Sequence, residues 1–563
     1  MGRLFSRRAM AQGSLVALAA ACASPGEGAD DLLIHGGAIY TGDDRNPRVE
    51  AVRIRNGHFV FAGTLADARA GSRGARVIDL RGATAFPGFN DCHVHLTYVG
   101  YASMVLDLVG VDSILSLQQR LREYARAHPS GPIIGRGWIE THWPERRFPT
   151  LADLDAVVSD RPVFLERIDG HAAVINSAAL RLAGIDANTR DPEGGRIERD
   201  ASGAPTGMLI DNAASLVQAR FPAPTDAQRR EALRQAGRIY AARGWTGVHN
   251  MSTAAGEHLD YLELDRAGEM PLNAELYLAP PERYTDAERA WTALHARGGG
   301  FESAHVRLRG YKLYMDGALG SRGAALLAPY SDAPGDGLLV TPLEDLRGML
   351  LHAREHGVQV ATHAIGDRGN RLVLDLYAEV FADNPAGLRG ARWRIEHAQV
   401  ISRADIPRFA AMGVIASMQP SHAISDLHFA PARLGPERLD GAYAWRSLLD
   451  AGAHVCGGSD APVERGDPRI EFYAAVYRHD LNGFAGPDWR LSEAVPRAAA
   501  LRMFTTTAAY AAFHEGAAGL IAPGHRADLS VFSDDLMTIQ ARQIPDSRAV
   551  LTVSAGRVTH EAL

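Results

Sequence analysis

Val358-Gln359-Val360-Ala361-Thr362-His363 and, one helical stretch later, Arg392-Trp393-Arg394-Ile395-Glu396-His397 are short strand-like runs that each end on a histidine. Runs of this kind alternating with helical stretches read as strand, helix, strand units of a parallel sheet. The unit recurs on both sides of the pair, in Gly247-Val248-His249, Val306 to Lys312, Val414-Ile415-Ala416-Ser417-Met418 and His454-Val455-Cys456. Several of these strands close on a residue able to ligate or polarise: Lys312, His363 and His397, with Asp460 a few positions past Cys456. In a (β/α)8 barrel the strand C-termini converge on one face, which is where catalytic groups collect. We therefore expect an α/β fold, a (β/α)8 TIM barrel over 88–514.

The flanks have a different texture. Between 30 and 87, Leu32-Leu33-Ile34, Ala51-Val52-Arg53-Ile54 and His58-Phe59-Val60-Phe61 are separated by Gly36-Gly37, Asn56-Gly57 and Gly63, a hairpin pattern. Residues 515–563 repeat it with Asp528 to Phe532 and Ala549 to Val553, so the two ends are expected to meet in one composite β-sandwich. The Gly, Pro and Asp-rich stretch at about 128–224 is too long for a single barrel connection and reads as an insertion. Residues 1–29 read as an export signal: Arg3, Arg7 and Arg8, then the small apolar run Ala9 to Ala21. The Arg7-Arg8 pair resembles a twin-arginine signal. Leu18-Ala19-Ala20-Ala21-Cys22 resembles a lipoprotein cleavage box, so the expected location is periplasmic or membrane-anchored in a bacterium; ordinary cleavage around Ala21 or Ala23 is the alternative.

Composition sets limits. Of 563 residues, 46% are hydrophobic and 22% charged, the balance of a folded globular protein. A net charge of −7 without basic runs beyond the N-terminus leaves no nucleic-acid footprint. Three cysteines, Cys22, Cys92 and Cys456, do not make a disulfide framework.

The chemistry starts at Phe86-Pro87-Gly88-Phe89-Asn90-Asp91-Cys92-His93-Val94-His95. One His-x-His pair is about what chance allows for 22 histidines in 563 residues, so the pair alone is a weak signal. On a strand, however, positions i and i+2 face the same way, and both imidazoles can address one metal.

Taken with His363, His397 and Asp460, the segment resembles the metal-dependent amidohydrolase superfamily. The finer resemblance is to the branch of N-substituted formamide deformylases. It rests on Gly135-Arg136-Gly137-Trp138, Asp169-Gly170-His171, Lys312 to Arg322, Thr362 to Asp367, Ile395-Glu396-His397-Ala398-Gln399, Gly458-Ser459-Asp460-Ala461-Pro462 and Gly519 to Leu529. The resemblance implies that His93 and His95 bind one divalent metal, joined by Asp460, that His363 and His397 bind a second, and that carboxylated Lys312 bridges them. Zinc suits these ligands, with manganese or iron open. It also implies that Asp460 moves protons and that His171 or a metal steadies the tetrahedral oxyanion. A lysine here could instead pair with Asp316, and a one-metal site would leave it free.

The implied partner is a small amide-like molecule, with N-formyl or N-acyl amines preferred. A deaminase or cyclic amidase of the same superfamily, or an exported non-catalytic binding lipoprotein, is the alternative. Trp138, Asp316, Arg322, Gln419 and His422 are expected substrate contacts. His352-Ala353-Arg354-Glu355-His356 fits the pattern of inverted zinc peptidases but precedes the His363 strand, so it should be a solvated end on the outer helical ring. Oligomeric state leaves no trace in the sequence.

Overall fold

The fold is taken from a computed structural model that describes residues 31–563 apart from 141–142, 169–171, 193–194, 222–223, 255 and 280–302. The export signal with Cys22, and His171, lie outside the described residues.

The chain opens with β1 (Leu32–Tyr40), β2 (Arg48–Arg55), β3 (His58–Gly63), β4 (Arg76–Asp79) and β5 (Thr84–Pro87). It enters the barrel at β6 (Phe89–Val94) and leaves it at once for an inserted unit. That unit contains β7 (Leu106–Asp107), β8 (Ile133–Trp138), β9 (Val163–Arg167), β10 (Ala172–Ile175), β11 (Gly195–Arg199) and β12 (Pro205–Asp211), paired as one six-stranded sheet. The barrel resumes with β13 (Trp245–Thr253), β14 (Asn273–Leu278), β15 (Val306–Tyr314), β16 (Gln359–Ala364), β17 (Arg394–His397), β18 (Ile415–Met418) and β19 (Val455–Gly457). Finally β20 (Leu529–Phe532), β21 (Ala549–Ser554) and β22 (Arg557–Glu561) return to the first sheet.

The insertion begins ahead of residue 128. β7 already pairs with β8, and the helix Ile114–Ala127 buries Ile114, Leu117 and Leu121 in the insert's own core. A two-residue strand carries too little periodicity to be read from sequence.

Both ends of the chain join in one continuous sheet, ordered β22-β21-β20-β5-β1-β2-β3 with β4 beside β1. Its N- and C-terminal halves share a single apolar core, in which Ile34, Val52 and Phe59 meet Leu529, Val531 and Leu551. The barrel strands are all parallel, from β6 through β13 to β19. The seam between β19 and β6 is laced by side chains and loop backbone. Buried Asp91 accepts from Ser459 N at 2.8 Å, Ser459 Oγ at 2.5 Å, His93 N at 3.1 Å and Tyr240 Oη at 3.2 Å. Asp460 N donates to the His93 carbonyl at 2.7 Å, and His95 N to that of Ala461 at 2.9 Å. Gly458 makes this approach possible, because a Cβ there would lie 2.5 Å from His93 N. The seam therefore holds His93, His95 and Asp460 in one place.

The His352 segment belongs to the helix Leu343–Glu355 outside the barrel, as expected, but His352 itself is buried.

Candidate metal centre

Every strand that was expected to end on a functional residue delivers it to the same end of the barrel. His93 lies on β6 with His95 just after it, Lys312 near the end of β15, His363 on β16, His397 at the tip of β17, and Asp460 after β19. The His93 and His397 ring centroids are 4.8 Å apart, and those of His363 and His397 are 4.6 Å apart. Asp460 Oδ1 is 3.4 Å from His93 Nε2 and 3.2 Å from His95 Nε2, and Lys312 Nζ is 3.2 Å from His93 Nε2. His397 and Asp460 hold left-handed backbone, φ 72° and 58°. Strain of this kind at non-glycine residues collects at functional sites.

The donor set fits a divalent cation. His93 Nδ1 is 2.5 Å from Glu396 Oε2, His95 Nδ1 is 3.2 Å from the Met251 carbonyl, and His397 Nδ1 is 2.8 Å from Gln419 Oε1. An oxygen acceptor at each Nδ1 places the proton there and leaves the Nε2 lone pair for a ligand, the arrangement metal-bound histidines adopt. One donor atom each from His93, His397 and Asp460 lies within 4.8 Å of the others. His363 Nε2 is buried without a hydrogen-bond partner among the described residues, Asp316 Oδ1 standing beyond hydrogen-bond reach at 3.6 Å, and a cation would satisfy it.

Burial, reinforced by the Lys312 charge, lowers His93 to a pKa of about 4 and His363 to about 3, so both are neutral donors at neutral pH. Burial pushes Lys312 down to about 8 against the pull of Glu396 and Asp460. For Asp460, burial raises the carboxyl, but the surrounding imidazoles of His93, His422 and His95 more than offset it and hold it well below its usual range.

Above this floor opens a cavity of about 990 Å³. The insert contributes Arg136, Ile168 and Ile210 to its lining, and the segment after β15 contributes Ala318 to Ser321. His422, one of the five expected substrate contacts, lines it, with Nε2 3.3 Å from Asp460 Oδ2 and Nδ1 3.2 Å from Glu464 Oε1.

The other four expected substrate contacts have different roles. Trp138 is fully enclosed in the insert core, and its indole N–H donates to the Leu165 carbonyl at 2.8 Å. Buried Asp316 accepts the backbone N–H of Ala325, Ile365 and Gly366, clamping the loops after β15 and β16. Arg322 is turned to the surface and paired with Asp332 at 3.0 Å. Gln419 is buried behind His397 and orients it.

Sequence reading also passed over residues the site uses. Glu396 stands inside a quoted motif without a role, and Arg136, Asp426 and Glu464 line the cavity. One compositional signal was available: among 59 lysines and arginines, Lys312 is the only lysine.

Comparison with known proteins agrees with this geometry. Residues 76–560 match the amidohydrolase family. The chain is 35% identical over 538 residues to the putative amidohydrolase YtcJ of Bacillus subtilis (strain 168), covering 94% of this chain and 99% of that one. It is 30% identical over 550 residues to the N-substituted formamide deformylase of Arthrobacter pascens, covering 94% and 98%. Among solved structures, an uncharacterized metal-dependent hydrolase from Pyrococcus horikoshii OT3 superposes with a TM-score of 0.74 at 27% identity, covering 91% of this chain and 99% of that chain. The chain belongs to the amidohydrolase family. It is a metal-dependent hydrolase acting on carbon–nitrogen bonds.

Proposed function

We propose that the chain hydrolyses the amide bond of N-formyl or N-acyl amines at a two-cation centre. The observation that carries the reading is the set of three histidines whose Nδ1 atoms are each engaged by an oxygen, with Nε2 of His93 and His95 3.4 and 3.2 Å from Asp460 Oδ1. His93, His95 and Asp460 would hold one cation and His363 and His397 the second. Lys312 would stand between them as a carbamate, formed when its neutral Nζ adds carbon dioxide and releases a proton. Zinc suits imidazole and carboxylate donors. When bound, such a pair of cations lowers the pKa of water and polarises a carbonyl.

The chain's own residues do the rest. Asp460 takes the proton of the attacking water on a carboxylate oxygen and delivers it to the leaving amine nitrogen. His422 holds the other Asp460 oxygen and is itself held by Glu464, so the carboxylate cannot swing away from the reacting atoms. Ile168, Leu319 and Phe429 give the cavity an apolar wall suited to the substituent of an amine. The likeness to a formamide deformylase supports the choice of N-formyl amines.

The test pairs elemental analysis with a substrate screen. Full-length protein purified with bicarbonate and without chelator is expected to carry about two metals per chain and to release formate from N-benzylformamide. A Lys312→Ala variant is expected to lose metal and activity together. One metal per chain in both proteins would sink the bridged centre, and turnover of cyclic amides or amidines alone would replace the substrate assignment.

A further inference from the structure

Beneath the metal centre the barrel interior holds a pair of opposite charges, Arg394 and Glu396, the second of them the oxygen acceptor behind His93. Arg394 and Glu396 alternate along β17, and both side chains are completely buried. Arg394 Nε is 2.5 Å from Glu396 Oε1, and Arg394 Nη2 is 3.1 Å from Glu396 Oε2. The guanidinium also donates to the Cys92 carbonyl on β6 at 2.6 Å and to Ser417 Oγ on β18 at 2.6 Å. Its other terminal nitrogen reaches His249 Nδ1 on β13 at 2.9 Å and Tyr277 Oη on β14 at 3.3 Å. One arginine thus ties five barrel strands, including its own, to a single carboxylate.

Enclosing two charges in an apolar interior is costly unless their geometry and remaining hydrogen bonds are satisfied, and a well-packed apolar pair is often as stable. Stability alone therefore does not account for the pair. Its side-chain contact with the metal centre is Glu396 Oε2, 2.5 Å from His93 Nδ1. We infer that Glu396, held by Arg394, is the positioning residue that sets the metal affinity of the centre: it fixes His93 with its proton on Nδ1 and its Nε2 lone pair facing Asp460.

The geometry favours Glu396 over a packing role on two counts. The carboxylate bridges Arg394 and His93 with both oxygens engaged, so its rotamer is determined from both sides. Arg394 in turn grips the carbonyl of Cys92, the residue directly before His93, so one hub fixes both the backbone and the ring of the same histidine. Carboxylate partners behind metal-bound histidines are worth about 10–100-fold in metal affinity.

The inference concerns the cation and not the substrate, so it is tested without turnover. Full-length protein stripped of metal is titrated with Zn2+ against a chromogenic chelator, as wild type, Glu396→Gln and Glu396→Asp. Both variants are expected to bind zinc about 10–100-fold more weakly. The amide keeps the shape but loses the charge, and the shorter acid keeps the charge but no longer reaches His93. The visible spectrum of the Co2+-loaded variants is expected to change, and activity of Glu396→Gln on any accepted substrate should return at saturating metal. A purely structural role would lower the melting temperature of the metal-free protein and leave zinc affinity within twofold of wild type; that result in either folded variant overturns the inference. If Glu396→Gln does not fold, Glu396→Asp decides. Absence of amide turnover in wild type that binds zinc normally would fault the proposed substrate and leave this inference intact.

Discussion

Lys312 Nζ lies 3.2 Å from His93 Nε2, and no other lysine exists in the chain to be confused with it. Arginine supplies every other guanidinium or ammonium side chain of the 59, so position 312 does not simply call for positive charge. A primary amine can take up carbon dioxide to become an anionic ligand, and a guanidinium stays charged in proteins. Protein equilibrated with 13C-bicarbonate is therefore expected to show a carbamate carbon signal by NMR that disappears in Lys312→Arg. An amine-reactive reagent should leave Lys312, which is 1% exposed, unmodified until the chain is denatured, as read by peptide mass spectrometry.

His422 bridges Asp460 and Glu464, and the two carboxylates lift its pKa well above the ordinary value although burial opposes them. Replacing it with asparagine removes the bridge. His422→Asn is expected to lower kcat by about 10²–10⁴-fold, the range for a group assisting proton transfer, with metal content unchanged in elemental analysis. Equal loss of metal and kcat would assign His422 to cation binding instead.

Trp138 fills the insert core, so its replacement should act through stability. Trp138→Ala is expected to cost about 3–5 kcal/mol, seen as an earlier transition of the insert in urea. If the variant instead unfolds like wild type and only KM rises, the side chain contacts substrate after all.

Burial would raise the Glu275 carboxyl, but the hydrogen bond from His514 and the charge of Arg309 prevail and hold it at about 2, below its ordinary 4.5. A depressed carboxylate contributes stability that is complete above the unfolded value and is lost as pH falls toward the folded one. Wild type should therefore be more stable than Glu275→Gln at pH 7, with the difference narrowing steadily below pH 4.5. Parallel denaturation curves from pH 7 to 3 check the sign; a constant difference would mean that the glutamate acts only by shape.

His93, His95, Lys312, His363, His397 and Asp460 are legible in the sequence because the family resemblance singles them out and barrel topology gives every strand end the same destination. The two terminal β segments are legible for a related reason, since alternation shows in each without its partner. Trp138, Asp316 and Arg322 sit in stretches just as suggestive, yet an aromatic, an acid and a base also build cores, clamp turns and pair on surfaces, and spacing does not separate these uses. Gln419 is a near miss: it stands at the site but behind His397. Glu396 and Arg394 escape because charged residues at i and i+2 on a strand read as solvent-facing until a barrel encloses them.

The amide of Phe89 bonds to Ser530 Oγ across 441 positions of chain, beside the antiparallel pairing of β5 with β20. A ribosome adding roughly 5–20 residues per second needs on the order of a minute to cover that distance. Throughout that time β5 waits in the nascent protein with one edge unpaired, and its fully buried Ala85 and Phe86 have nothing from the other half to cover them. Open apolar edges of this kind recruit other chains. An interrupted translation product would therefore stick to its neighbours at β5, and the arrival of β20 is the moment at which the growing chain becomes safe from its own copies.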